Sequence, residues 1–314
     1  MTDVLEEYTT KADVGQAAAV LRAGRLICRQ ERSLIVIDHN GTRRIGADWE
    51  IDAHEVTPDG EYVLGLGDNS KMAAIWEVRT TRRLLQFSGD PEHRQSLRAG
   101  LGVFSGDLYG FFYARNKHVS VINVADGTER GWMATTGMFW FHISRILPLD
   151  DRWLAIQGYH DGEARDAAVA IPALGASRDP MILYSALYEK PSVKEWGYRV
   201  AVGPAGPGHA VFFRDPEWED EEPPGDPTEA FRGIVIWDLN LMRAVRRVEY
   251  DGEVESGAAI GANGTSAALT LKDGNIERVF LETGRVQRVE AIALDPYHMQ
   301  AARVENGTVT IFSL

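Results

Sequence analysis

The residues closest to a reactive constellation are His160-Asp161-Gly162-Glu163, with Asp166 just behind them. A histidine among carboxylates can serve general acid–base chemistry or hold a divalent cation. No spacing here matches a known metal loop: there is no HExxH, no paired CxxC and no twelve-residue calcium loop. The same residues read as a polar hairpin tip that needs no function. Nucleophile motifs are missing as well. No GxSxG elbow occurs, and GLGDNSK around Lys71 lacks the spacing of a phosphate-binding loop. The single cysteine, Cys28, lies in the apolar run Leu26-Ile27-Cys28 and reads as a buried, inert thiol. His142, His160 and Asp161 are therefore the candidate catalytic side chains, with no role assigned. No metal and no cofactor is expected.

Binding chemistry is better represented. Met138-Phe139-Trp140-Phe141-His142 places five bulky residues in a row, and a strand sends alternate side chains to opposite faces. Phe139 and Phe141 can pack between sheets while Trp140 and His142 either fill a central channel or line a pocket there. Trp49, Trp196, Tyr198 and Trp218 complete the set of candidate binding residues. Trp218 lies in DPEWEDEEPPGDPTE, which has four prolines and, over Asp215 to Glu229, eight carboxylates and no base. That composition suits either a solvated insertion or an acidic flap that attracts a cationic partner.

The elements that must position these residues announce themselves by repetition. β-Branched runs recur as IVID at Ile35, AIWE at Ala74, VINV at Val121, VAIP at Val169, VIWD at Val235, VFLE at Val279 and TIFS at Thr310. Taking Ile37, Trp76, Ile122, Ile171, Trp237, Phe280 and Phe312 as equivalent, the spacings are 39, 46, 49, 66, 43 and 32 residues. Gly, Asp and Asn at the joints between runs supply the turn conformations of tight hairpins. A period of this size in an all-β chain predicts a seven-bladed β-propeller with four-stranded antiparallel blades.

The chain resembles the WD-repeat propeller family. Trp237-Asp238 matches that family's signature dipeptide, Trp76-Glu77 nearly does, and VTPDGEYVLGLGD is similar to its strand–turn–strand. The match spans nearly the whole chain but is specific in two blades. The family's Gly-His pair is missing, since His54 sits only four residues before Pro58. The resemblance implies a protein-interaction scaffold.

A single domain over 1–314 is expected, with 214–232 inserted in the fifth blade and residues 1–13 as a closing strand. The strand predicted over residues 3 to 10 would pair in the blade holding Gly307 to Leu314, close the ring and remove an open edge. Connections between blades and between second and third strands share one face, the top, which collects Trp49, Trp140, His142, Trp196, Tyr198 and Trp218.

Net charge is −13, but outside the acidic stretch it is only about −5. No basic aromatic surface is evident, so nucleic acid is not an expected partner. No apolar stretch approaches about 20 residues and the N-terminus lacks a signal-peptide progression, so a cytoplasmic protein without membrane contact is expected. The leading functional reading is a protein scaffold working through the top face. The alternative is a lyase- or hydrolase-like enzyme, or a small-molecule binder, with a pocket at the channel mouth.

Overall fold

The computed structural model describes residues 8–11, 19–68, 71–88, 98–104, 106–114, 118–134, 141–160, 163–172, 200–214, 231–241, 243–260 and 264–314. They form antiparallel sheets ordered as consecutive strands, over 19–46, 51–88, 98–134, 141–172, 200–249 and 254–289. A further sheet joins the strand Tyr8–Lys11 to three strands within 293–313. Among the described residues no helix is long and apolar enough to cross a membrane.

Continuous apolar runs form these strands because each face of a sheet packs on a neighbour, so alternate residues feed two different cores. Val36 packs with Ile51, Val63 and Trp76 between the 19–46 and 51–88 sheets. Its neighbour Ile37 packs with Ala302 and Ile311 of the 293–313 sheet. Leu64 and Ile75 turn the other way from Val63 and Trp76, onto Leu101 and Phe112 of the 98–134 sheet. Val211, Phe213 and Ile234 of the 200–249 sheet likewise meet Ala267, Leu269 and Val279 of the 254–289 sheet. Burying one such side chain stabilises by about 1.5–3 kcal/mol.

Turns at the end of the first strand bind sheet to sheet. The fully buried Asp295 carboxylate accepts from Ala23 N of the neighbouring sheet at 2.6 Å, Tyr297 N at 2.9 Å and His298 Nδ1 at 2.8 Å. Asp150 does the same in another pair of sheets: Oδ2 accepts from Gly208 N at 2.7 Å, while Oδ1 accepts from Arg152 N and Trp153 N, both at 2.8 Å. In the equivalent turn of the 51–88 sheet, Gly60 has φ +70° and a Cβ there would stand 2.8 Å from Arg22 O. Glycine is required by both the close approach and the left-handed backbone. Arg25 completes that contact, donating to Asp59 O at 3.0 Å and Glu61 Oε1 at 2.8 Å.

The turn after the third strand is closed by the residue that follows the repeat position. Asp38 Oδ1 accepts from Asn40 N at 2.8 Å, Asn123 Oδ1 from Ala125 N at 2.8 Å, and Asp238 Oδ1 from Asn240 N at 2.9 Å. Each is an Asx turn, the reason Asp and Asn recur there.

The expected architecture is corrected in two respects. Six sheets among the described residues are four-stranded, and the 141–172 sheet has only three strands, so complete blades number six rather than seven. Residues 173–199, which follow its third strand, lie outside the described residues. Nor do the described residues form a closed ring. The chain divides into two compact units, residues 1–132 with 290–314, and residues 133–289. The N-terminal strand does pair with the last one, Tyr8 opposite Ile311 and Lys11 opposite Thr308. That pairing covers the edge of one sheet without closing a ring.

Candidate functional site

Among the described residues, several side chains with the chemistry to act are taken up by structure. Trp49 is 8% exposed and lies between the 19–46 and 51–88 sheets, its ring centroid 6.1 Å from that of Trp76. A Cβ on Gly67 would come within 2.0 Å of Trp49 Cδ1, so that glycine is the slot the indole fills. Trp49 Nε1 is buried without a hydrogen-bond partner. The residue is a core element with no face left for a ligand.

His54, on the first strand of the 51–88 sheet, is buried, and its Nε2 lies 3.0 Å from Ile27 O of the adjoining sheet. Burial pulls its pKa below the ordinary histidine value, so the imidazole is held neutral. Cys28 is fully buried, and burial pushes its thiol up to about 12. Thiolate chemistry at neutral pH is closed to it.

Of the catalytic candidates, His142 and His160 lie on the strands Phe141–Pro148 and Trp153–His160. The register pairs His142 with Tyr159, and His160 with both Phe141 and Glu163. The two histidines thus lie one register step apart on adjacent strands at one end of that sheet. Asp161, Trp140, Trp196, Tyr198 and Trp218 lie outside the described residues, as do residues 215–230 of the acidic stretch.

Two groupings escaped the sequence reading. Asp295 and His298 form a dyad three residues apart, the histidine side chain 34% exposed and the aspartate not at all. A buried carboxylate on Nδ1 is the arrangement that orients a general base. Here the carboxylate is also committed to the turn and to Ala23, so its first task is to hold two sheets together. The Asp-x-x-His spacing was the available signal. The second grouping is Tyr250, whose hydroxyl donates to Glu277 Oε2. Burial and that carboxylate raise the phenol's pKa well above its ordinary value. A Cβ on Gly252 would lie 2.1 Å from Tyr250 Oη, so only glycine fits beside the pair.

No protein-family model and no curated protein sequence matches the chain. In three dimensions it is similar to Kuenenia stuttgartiensis hydrazine synthase, at 12% identity and a TM-score of 0.62, over 97% of each chain. A chain in the crystal structure of the mitotic checkpoint complex is similar over 100% of this chain and 96% of that one (13% identity, TM-score 0.61). U3-55K is similar over 98% of both chains, with 14% identity and a TM-score of 0.55. The chain is a β-propeller. Its neighbours include WD-type propellers, so the likeness read from Trp76-Glu77 and Trp237-Asp238 holds at the level of the fold.

Proposed function

We propose that this propeller is a protein-interaction scaffold that holds a partner on its top face. The observation that carries the reading is the likeness, along the whole chain, to a propeller built into the mitotic checkpoint complex. Two further facts support it. His54, Cys28, Asp295 and Tyr250, which have the chemistry to react, are each committed to packing or to joining strands and sheets. Trp140, His142, Trp196, Tyr198 and Trp218 are the residue types that anchor protein interfaces. The carboxylates of 215–229 favour a partner with a cationic surface, whose association slows as salt rises.

The test is native co-purification from cells, comparing the wild type with a Trp140→Ala, Trp196→Ala, Tyr198→Ala variant. A stoichiometric partner is expected with the wild type and is lost from a variant of unchanged melting temperature. Retention of the partner by the variant removes the aromatic face from consideration. A wild type that co-purifies with nothing overturns the scaffold reading itself.

A further inference from the structure

A pocket of about 360 Å³ opens at the tight-turn end of the 254–289 sheet, lined by Thr265, Phe280, Glu282, Thr283 and Arg285. Two guanidinium groups lie over the one phenyl ring, Arg285 Cζ at 4.3 Å and Arg278 Cζ at 4.7 Å from the Phe280 centroid. The backbone beneath is fixed: Phe280 N donates to Arg285 O, Gly284 N to Phe280 O and Leu281 N to Thr265 O, at 2.8–2.9 Å. Arg278 Nε donates to Ser266 Oγ at 3.1 Å, which orients that guanidinium. Neither arginine is ion-paired with a carboxylate among the described residues. Arg25, Arg43, Arg83 and Arg288, by contrast, each have one.

A guanidinium stacked on a ring keeps its edge N–H groups for a planar anion, and stacking removes rotamer freedom before the ligand arrives. The phenyl ring beside it offers apolar contact to a short hydrocarbon stem. Glu282, exposed on the wall, is the one carboxylate lining the pocket, and it competes for the same charges. We propose that this pocket binds a carboxylate side chain of an acidic peptide segment, the carboxylate on Arg285 and its methylenes on Phe280, with Arg278 adding positive charge beside the same ring. In a chain of net charge −13 it is a local site for an acidic partner, distinct from the top face proposed for a cationic one.

The experiment is fluorescence anisotropy at low ionic strength with a labelled, end-blocked hexaglutamate peptide, and inorganic phosphate as competitor. Saturable binding is expected, weakened about tenfold or more by Arg285→Ala and by a smaller factor by Arg278→Ala. Arg285→Lys, which keeps the charge but not the planar fork, should recover only part of the loss, and Glu282→Gln should tighten binding. Arg285 and Glu282 are exposed, so these variants leave the fold intact, which an unchanged melting temperature verifies. Absence of saturable binding, affinity indifferent to Arg285, or weaker binding by Glu282→Gln overturns the proposal. Displacement of the peptide by equimolar phosphate overturns it too, by making the site one for free anions. Failure of the top-face reading leaves all these results untouched, because no variant here alters Trp140, Trp196 or Tyr198.

Discussion

The 51–88 and 200–249 sheets carry the same local program and spend their outer strands differently. Both hold the tryptophan–acid pair, Trp76-Glu77 and Trp237-Asp238, with each indole buried. Both place a β-bulge at the same point of the outer strand: Leu84 is the extra residue opposite Ile75-Trp76, and Val245 opposite Ile236-Trp237. Beyond the bulge they diverge. Leu84, Leu85 and Phe87 pack against the core shared with the 98–134 sheet, Phe87 with its ring 4.4 Å from Phe112. The strand Arg243–Glu249 instead alternates half-buried and exposed, showing Arg243, Val245, Arg247 and Glu249 to solvent, with Val245 at 47%. The third strand and the bulge are common to these two sheets, whereas the 19–46 and 254–289 sheets pair their last two strands without a bulge. The fourth strand is free to be core or rim, and charge on a rim strand protects an open edge.

The largest effect should come from the shared part. Trp76→Ala and Trp237→Ala should each cost about 3–5 kcal/mol, read as a shift in denaturant midpoint. If one costs under about 1 kcal/mol, the two positions are not equivalent. Outer strands should then separate: Phe87→Ala costs about 3 kcal/mol, whereas Val245→Ala stays within about 0.5 kcal/mol. Equal costs would break the distinction between core and rim. Asp295→Ala should cost about 1–3 kcal/mol by leaving Ala23 N unsatisfied, and Asp150→Ala less, since its carboxylate is only partly buried. The same midpoint measurement ranks them, and a reversed order would refute the role given to burial.

The smallest effect is a pH dependence confined to one region. His54 has a folded pKa below its unfolded value of about 6.5, so folding favours the neutral ring. Its contribution is complete above that pH and is lost as the pH falls below it. Amide protection factors, which remove the intrinsic slowing of exchange in acid, should fall in the 51–88 sheet on going to mildly acidic pH. They should hold in the 200–249 sheet, whose one histidine, His209, has a side chain 38% exposed. A uniform fall in both would assign the effect elsewhere.

Sequence made the periodic part of this fold legible. Trp76 and Trp237, equivalent positions of the repeat, are both buried, because a β-branched run of fixed period has few ways to be buried. The bulges were legible in principle, since Leu84 and Val245 each lie eight residues after their tryptophan. An N-terminal strand was expected to pair with the last one, and Tyr8–Lys11 does so. Trp49 looked like a loop aromatic because the glycine slot that swallows it, Gly67, lies in another strand and carries no signal of its own. Asp295 looked like any turn aspartate, since its decisive partner is an amide 272 residues away. Contacts that depend on one sheet's placement beside another leave no local pattern.

The bond from Ala23 to Asp295 also sets a schedule. The faces of Leu21, Leu26 and Ile37 are sealed by Ala293, Ala302 and Ile311. On a ribosome adding about 5–20 residues per second, the first sheet made must wait for the last, with an apolar flank open for roughly a quarter of a minute to a minute. Chaperone demand during synthesis should therefore fall on the earliest strands, although in the finished molecule those strands are among the best buried.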